Sequence, residues 1–560
     1  MSQMKESNLC TSLLVLQPSN SHEDAKKSPK GGWNAAIFII FVEMAERFAF
    51  LGLNGNLIMY LTKELHLPTS TAAKQVNTFS GVSCLLPLFS AFIADSFLGR
   101  FKTILIATPI YTMGMVMVSL SASVIPRPYR KKLFFISLYT VAIGGGHKPC
   151  VLTFAADQFG EDSLEEKKAK SSFYNCWFLG IVSAATFANF AVIYIQDNVG
   201  WGIGFGVLAG AMAVALIVFV LGINKYWTEG PTGSPFTPVV QVFVAAVRKR
   251  KLNRRDGYLL LEVQSNEVRS SARTNQFRCL DKAMIIDELD TSTKALNPWR
   301  LCSLNQVEEV KLLLGLFPIW LSCLIFPVVQ TLVGTYFIKQ GSSLNKTIGS
   351  TFQIPPASLQ GFLTFVILIT IPIYDRIFIP IARKFTGHHS GITVLQRIGV
   401  GLFLSIISMV VSGLVEVKRL SVAREYSLID NPKAEIPMGI WWLLPQYMLC
   451  GLADAFTYIG LQELFYDQMP DDMRSVGAAA NLSISGVGNF LSNAIISLVQ
   501  EISSRYGAKW LDDDINRAHL HHFYWLMAGL SALNLCAYVW VANGYVYKKV
   551  EVEQTSGDQV

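Results

Sequence analysis

Phe41-Val42-Glu43-Met44-Ala45-Glu46-Arg47-Phe48 is the stretch whose reading decides this chain. It lies inside a hydrophobic segment from Asn34 to Tyr60, longer than the roughly 20 residues that cross a bilayer, yet it carries three full charges. Glu43, Glu46 and Arg47 stand at i, i+3 and i+4, so on a helix they share one face, which Phe50 continues. A charged side chain near the bilayer centre costs about 2.5–3.5 kcal/mol on insertion scales, so such residues belong in a bundle interior or a wet cavity. This face is therefore expected to line a transport pathway.

The rest of the sequence fits a membrane setting. With 51% hydrophobic and 16% charged residues over 560, the chain is too apolar for an ordinary soluble enzyme. Its net charge of +7 resides mainly in loops between apolar runs, which points to membrane topology and not to nucleic acid. The nine cysteines are scattered, with no C-x-x-C pair, and read as small apolar residues. Leu13 to Leu16 is too short for a signal-peptide core.

Hydrophobic spans are predicted at Asn34–Tyr60, Asn77–Ala94, Phe101–Val124, Leu133–Phe154, Phe173–Ile195 and Ile203–Ile223. Six more follow at Val310–Phe337, Ser358–Ile373, Leu395–Val415, Ile436–Ile459, Val476–Val499 and Phe523–Ala542. The expected fold is an all-α polytopic membrane protein, with a tail at 1–32, a bundle at 33–224, a linker at 225–306, a second bundle at 307–545 and a tail at 546–560. Lysine and arginine favour the tails and even-numbered loops by about two to one, which places both tails and the linker in the cytosol. The basic loop from Arg127 to Lys132 runs against this trend. Asn345-Lys346-Thr347, in the opposite-side loop after span 7, is a candidate glycan acceptor.

Other charged positions interrupt the spans. Gly144-Gly145-Gly146-His147-Lys148-Pro149 lacks the phosphate-loop spacing and reads as a helix softened by Gly and Pro that carries a buried cation. Asp454 lies in an apolar run on span 10, with Glu463 nine residues on; two and a half turns put them on nearly opposite faces. Glu43 and Arg47 alone would neutralise each other structurally. The second carboxylate leaves a negative charge over that needs Lys148 or a proton. His519, His521 and His522 have no carboxylate or cysteine constellation evident beside them and read as interfacial, so no metal is expected. Enzyme signatures such as G-x-S-x-G, H-E-x-x-H or a dinucleotide fingerprint are absent from the sequence.

Glu43-Met44-Ala45-Glu46-Arg47 matches an E-x-x-E-R motif. Ser90-Ala91-Phe92-Ile93-Ala94-Asp95-Ser96-Phe97-Leu98-Gly99-Arg100 fits a span 2 to span 3 signature, with Ser90 where Gly or Ala is usual. Ala155-Ala156-Asp157-Gln158-Phe159, Ser172-Phe173-Tyr174-Asn175-Cys176-Trp177 and Glu463-Leu464-Phe465-Tyr466-Asp467-Gln468 complete the set. On these motifs the chain resembles the plant nitrate and peptide transporter family, a branch of the proton-coupled oligopeptide transporters within the major facilitator superfamily.

The resemblance implies twelve transmembrane helices in two six-helix halves, working by alternating access and driven by the proton gradient with no cofactor. It implies proton exchange at Glu43 and Glu46 with Arg47 as their partner, and a substrate site drawing on Arg47, Lys148, Gln330 and Glu463. An anion that occupies Arg47 or Lys148 would promote protonation of the carboxylates and so couple the two loads. Peptide carriers of the family show tyrosines after the motif and an asparagine on span 5, where this chain has Phe50, Leu51 and Phe178. Gln330 stands where the best known dual-affinity plant nitrate carrier has a histidine, and a neutral amide donates but cannot become a cation. Nitrate is the leading cargo. Di- and tripeptides, hormones, other organic anions, or a sensor role on a transporter fold are the alternatives. Thr103 matches a regulatory phosphorylation threonine, which implies a protein kinase as partner. The membrane is expected to be the plasma or the vacuolar membrane.

Overall fold

In hydrocarbon every backbone polar group must find its partner inside the protein, so long apolar runs fold as helices. The structure, a computed structural model, describes residues 30 to 545 apart from 160–163, 229, 232, 234–235, 251–275, 286–296, 349–351, 387–391, 432–433, 470–473 and 508. The C-terminal tail, all but the last residues of the N-terminal tail, and the linker's Arg254-Arg255 lie outside the described residues.

Twelve membrane-crossing units run through the described residues. The first half holds span 1 (Trp33–Asn54), span 2 (Thr69–Ile93), span 3 (Arg100–Ser123), span 4 (Arg127–Gly144 and Lys148–Ala156), span 5 (Leu164–Phe187 with Ile193–Asn198) and span 6 (Trp201–Leu221). The second holds span 7 (Leu304–Ser322, Ile325–Thr331, Tyr336–Ser342), span 8 (Gln360–Ile373 with Ile379–Thr386), span 9 (Val394–Glu425), span 10 (Leu444–Asp467), span 11 (Arg474–Arg505) and span 12 (Leu520–Asn543). Eight of these, spans 2, 3, 5, 6, 8, 9, 11 and 12, are long and apolar enough to cross a membrane on length and composition alone. Span 7 joins them if its segments either side of a 45° bend between Ser322 and Ile325 count as one; spans 1, 4 and 10 do not, each carrying charge or a break.

Several expectations shift at their edges, including the starts of spans 2, 5, 7 and 10 and the ends of spans 8 and 9. Span 2 begins at Thr69, a full two turns before the apolar run, because its polar first turns are covered by span 11 and not by water. Span 10 begins at Leu444; Ile436–Gly439 is instead a strand that pairs in parallel with Leu344–Asn345. Pro437 lacks the amide hydrogen that a helix interior needs there. In the basic loop, Arg130 faces Glu64 at 3.8 Å.

The linker contributes a helix, Phe236–Arg248, whose 13 residues are too few to span. Its Val242, Ala245 and Ala246 pack with Leu280, Met284, Val307 and Val310 at the start of span 7. Buried Lys311 seals the seam against Asp281 at 2.5 Å and Glu308 at 2.7 Å. Span 7 itself starts on a capping box, Ser303 with Gln306. The turn from span 2 to span 3 passes through Gly99 at φ +80°, a region that favours glycine. It delivers Arg100 to Asp157 at the end of span 4, at 2.5 Å.

On the face opposite the linker, the halves are laced together. Thr69 N donates to Asp513 at 2.8 Å, Gln500 to Ser70 at 2.6 Å, Asn493 to Thr78 at 2.9 Å and Asn77 to Ser492 at 3.1 Å. Gln360 donates to the Gly55 carbonyl at 2.7 Å. The gate at this end is shut. Span 11 reaches span 2 through Gly486, where a Cβ would stand 2.6 Å from Leu85 Cδ2 and 3.4 Å from Cys84 Cβ. Gly486→Val should therefore wedge the gate. Overpacking of about 1–3 kcal/mol implies roughly a tenfold loss of the population closed at this end, read as slower initial uptake by a variant that stays monodisperse in detergent.

Below this gate lies a polar knot within the second half. Arg419, fully buried, forks onto Glu416 at 2.8 and 2.6 Å and donates to Asn516 and the Ile515 carbonyl. Gln340 donates to Glu416 at 2.8 Å and accepts from Gln446 at 3.1 Å. Spans 7, 9 and 10 and the loop before span 12 are thus tied at one point. Arg419→Met should lower the midpoint of thermal unfolding in detergent by several degrees, because Glu416 is left as an uncompensated buried charge.

Candidate functional site

Helical spacing puts Glu43, Glu46 and Arg47 on one face of span 1, and the structure turns that face toward span 4. Span 4 breaks into a 3-10 turn at Gly145–His147. A Cβ on Gly144 would collide with the Tyr111 backbone on span 3, so only glycine lets the two helices approach this closely. The break presents Lys148 to Glu46 at 3.0 Å. Arg47 binds Glu43 through Nε at 2.8 Å and stands 3.9 Å from Glu46. The four charges form two adjacent ion pairs with no net charge.

Accessibility sorts them. Glu46 is 0% exposed and Glu43 3%, whereas the Arg47 side chain is 36% exposed and Lys148 13%. An arginine that open in mid-span, 14 residues or about 21 Å along the helix from Trp33, faces a chamber. The cations form its wall, with the carboxylates behind them. Lys148 also sits 3.7 Å over the ring of Phe50, a cation–π contact that replaces a tyrosine hydroxyl with an aromatic face. The second oxygen of Glu43 and both of Glu46 receive no hydrogen bond among the described residues; the 3.0 Å approach of Lys148 is an ion contact out of hydrogen-bond alignment.

Residues the sequence reading did not select complete this wall. The Tyr111 hydroxyl is buried directly beside the Glu46 carboxylate and interacts with it. Buried His147 is held through Nδ1 by the Gly144 carbonyl at 2.6 Å, leaving Nε2 unpartnered. On the other half, Asp454 Oδ1 is buried without a hydrogen bond among the described residues. Tyr458, one turn along, lies within electrostatic reach of both Asp454 and Cys84, and Cys84 within reach of Lys148 and Arg47. Asp454 was legible as a carboxylate in an apolar run; Tyr111 gave no signal.

The remaining expected residues fall differently. Gln330 follows the break in span 7, and its amide nitrogen is buried with no acceptor among the described residues. Its neighbour Thr331 meets Ser492 at 2.8 Å, on the chain of hydrogen bonds that crosses to Asn77. Glu463 has a side chain 38% exposed. It pairs with Arg397 of span 9 at 3.1 Å, about 13 Å along the helix from Asp454, and Arg397 lies 4.3 Å over Tyr374. Thr103 is buried and its hydroxyl donates to the Gly99 carbonyl at 3.0 Å, so a kinase could reach it only after that turn opens. Asn345 is exposed, its Oδ1 accepting from Thr347 N at 2.9 Å. His519, His521 and His522, expected to be merely interfacial, converge.

A family profile described as the POT family (PTR2) matches residues 101–511. The chain belongs to the POT family. Its members are proton-driven transporters, not enzymes, and generally need no cofactor, which makes this chain an integral multi-pass membrane carrier of a small molecule. Among curated relatives of this POT transporter, Protein NRT1/PTR FAMILY 5.4 of Arabidopsis thaliana is 55% identical, over 94% of this chain and 97% of its own. Protein NRT1/PTR FAMILY 5.10 of the same plant is 45% identical, over 97% and 98%. The fold matches the crystal structure of the POT family transporter PepTSo with TM-score 0.69 at 20% identity, covering 93% of this chain and 99% of that one. An auto-inhibited POT family peptide transporter matches with TM-score 0.68 at 19% identity, over 92% and 99%. The two six-helix halves are those of the major facilitator fold.

Proposed function

We propose that this transporter moves a small anion, with nitrate the leading cargo, together with protons by alternating access. The observation that carries the reading is the layering of the chamber wall: accessible Arg47 and Lys148 in front, buried Glu46 and Glu43 behind. An arriving anion meets the cations first. As it draws Arg47 and Lys148 toward itself, the carboxylates lose countercharge in a low-dielectric site and take up protons. Linkage makes the effect reciprocal: by whatever factor the anion favours the proton, the proton favours the anion. Gln330 supplies a buried amide hydrogen in want of an acceptor, which an oxyanion provides.

One observation favours a second class of cargo. The Asp454 carboxylate on the other half is buried with Oδ1 lacking a hydrogen bond among the described residues, and a solute with an ammonium group at one end and a carboxylate at the other would offer it a cation. Flux into proteoliposomes, with nitrate, chloride, dipeptides and hormones each offered with and without an imposed acid gradient, separates the two. Nitrate accumulation that follows the gradient supports the first reading, and transport of dipeptides with nitrate ignored overturns it. On this reading the tails and linker face the cytosol, Asn345 faces the exterior or lumen as a glycan acceptor, Thr103 is open to a kinase only in a conformation that frees its turn, and the host membrane is the plasma or vacuolar one.

A further inference from the structure

Three imidazoles gather where span 12 begins on the exterior face. His519 immediately precedes the helix and His521 and His522 occupy its first turn. A ligating ring nitrogen of each lies within 4.8 Å of the others. The rings of His521 and His522 are 4.0 Å apart, and His519 lies 5.8 and 5.9 Å from them. His521 Nδ1 is buried with no hydrogen-bond partner, while His522 is exposed and leans on Trp510 at 5.2 Å. Zinc holds imidazole nitrogens at about 2.0–2.1 Å, so two on one tetrahedral ion stand about 3.4 Å apart, and side-chain shifts of about 1 Å would close the set. Water completes the fourth position on the exposed side. Arg424 is the cation facing His521 and opposes binding, so the site suits imidazole-seeking ions over hard ones.

We propose that His519, His521 and His522 form an exterior site for a divalent transition-metal ion, zinc or copper, and that the bound ion slows transport by pinning the loop before span 12. That loop reaches across to the first half through Asp513, which takes Thr69 N at 2.8 Å, and down into the second through Asn516, which takes Arg419 at 2.8 Å. A metal that ties His519 to the first turn of span 12 fixes the loop in its gate-closed geometry. Opening of the exterior gate, which every transport cycle requires, must then await metal release.

The test uses the full chain purified without an oligohistidine tag, with copper(II) followed by electron paramagnetic resonance and zinc by calorimetry. The expected result is one ion per chain, with hyperfine structure from nitrogen ligands. His521→Gln and His522→Gln should each weaken binding at least about tenfold while leaving the thermal midpoint unchanged. In proteoliposomes, exterior zinc should slow uptake by the unsubstituted chain and spare both variants. Binding that both variants retain, or copper without nitrogen ligation, overturns the site. Zinc that slows the variants and the unsubstituted chain alike overturns the clamp.

Discussion

Glu46→Gln should abolish proton-driven accumulation while sparing exchange of labelled for unlabelled substrate. The carboxylate is fully buried, 3.0 Å from Lys148 and 3.9 Å from Arg47, and neither of its oxygens receives a hydrogen bond among the described residues. Glutamine keeps the shape and mimics the protonated acid, but it can neither release nor accept a proton. Each pH unit across the membrane is worth about 1.4 kcal/mol, or about tenfold in accumulation per coupled proton. The variant should therefore fall from about tenfold accumulation to simple equilibration, measured as steady-state uptake into acid-energised vesicles. Glu43→Gln tests the neighbouring carboxylate in the same way. Proton-coupled accumulation that survives both substitutions would falsify the assignment of the coupling proton to this pair.

Lys148→Gln should raise the dissociation constant for the transported anion at least about thirtyfold, because truncating one member of a buried charge pair costs about 2–5 kcal/mol. Two effects act together: the anion loses a cation, and Glu46 loses its counterion and holds a proton that no longer responds to substrate. The double variant Lys148→Gln with Glu46→Gln separates function from architecture. It leaves no unpaired buried charge, so it should fold as well as the unsubstituted chain yet neither bind the anion tightly nor couple protons. Normal coupled transport by the double variant would show instead that Lys148 and Glu46 are a structural pair.

The charged face of span 1 was readable from spacing alone, since i, i+3 and i+4 share a face wherever the helix lies. The break in span 4 was readable from its glycines and proline. The choice between the two carboxylates of span 10 was not. Opposite faces follow from nine residues of separation, but only packing shows that Glu463 pairs with Arg397 on span 9 while Asp454 Oδ1 is buried without a hydrogen bond among the described residues. Span 10 was also set eight residues too early, because the apolar content of Ile436–Gly439 serves a strand pairing as well as it serves a helix. Thr103 matched a motif, yet whether its hydroxyl faces solvent or the Gly99 carbonyl depends on how spans 2 and 3 join.

The sequence by itself determined the twelve apolar runs, their grouping in sixes, and the charged face on span 1, because transfer into hydrocarbon and helical periodicity are properties of neighbouring residues. Tertiary structure alone decided that Tyr111 and His147 stand behind the ion pairs. It also decided that three histidines at the start of span 12 converge. Those facts depend on which faces meet across hundreds of residues of chain, and electrostatic interactions at about 3 Å are made or lost by packing that no local pattern encodes.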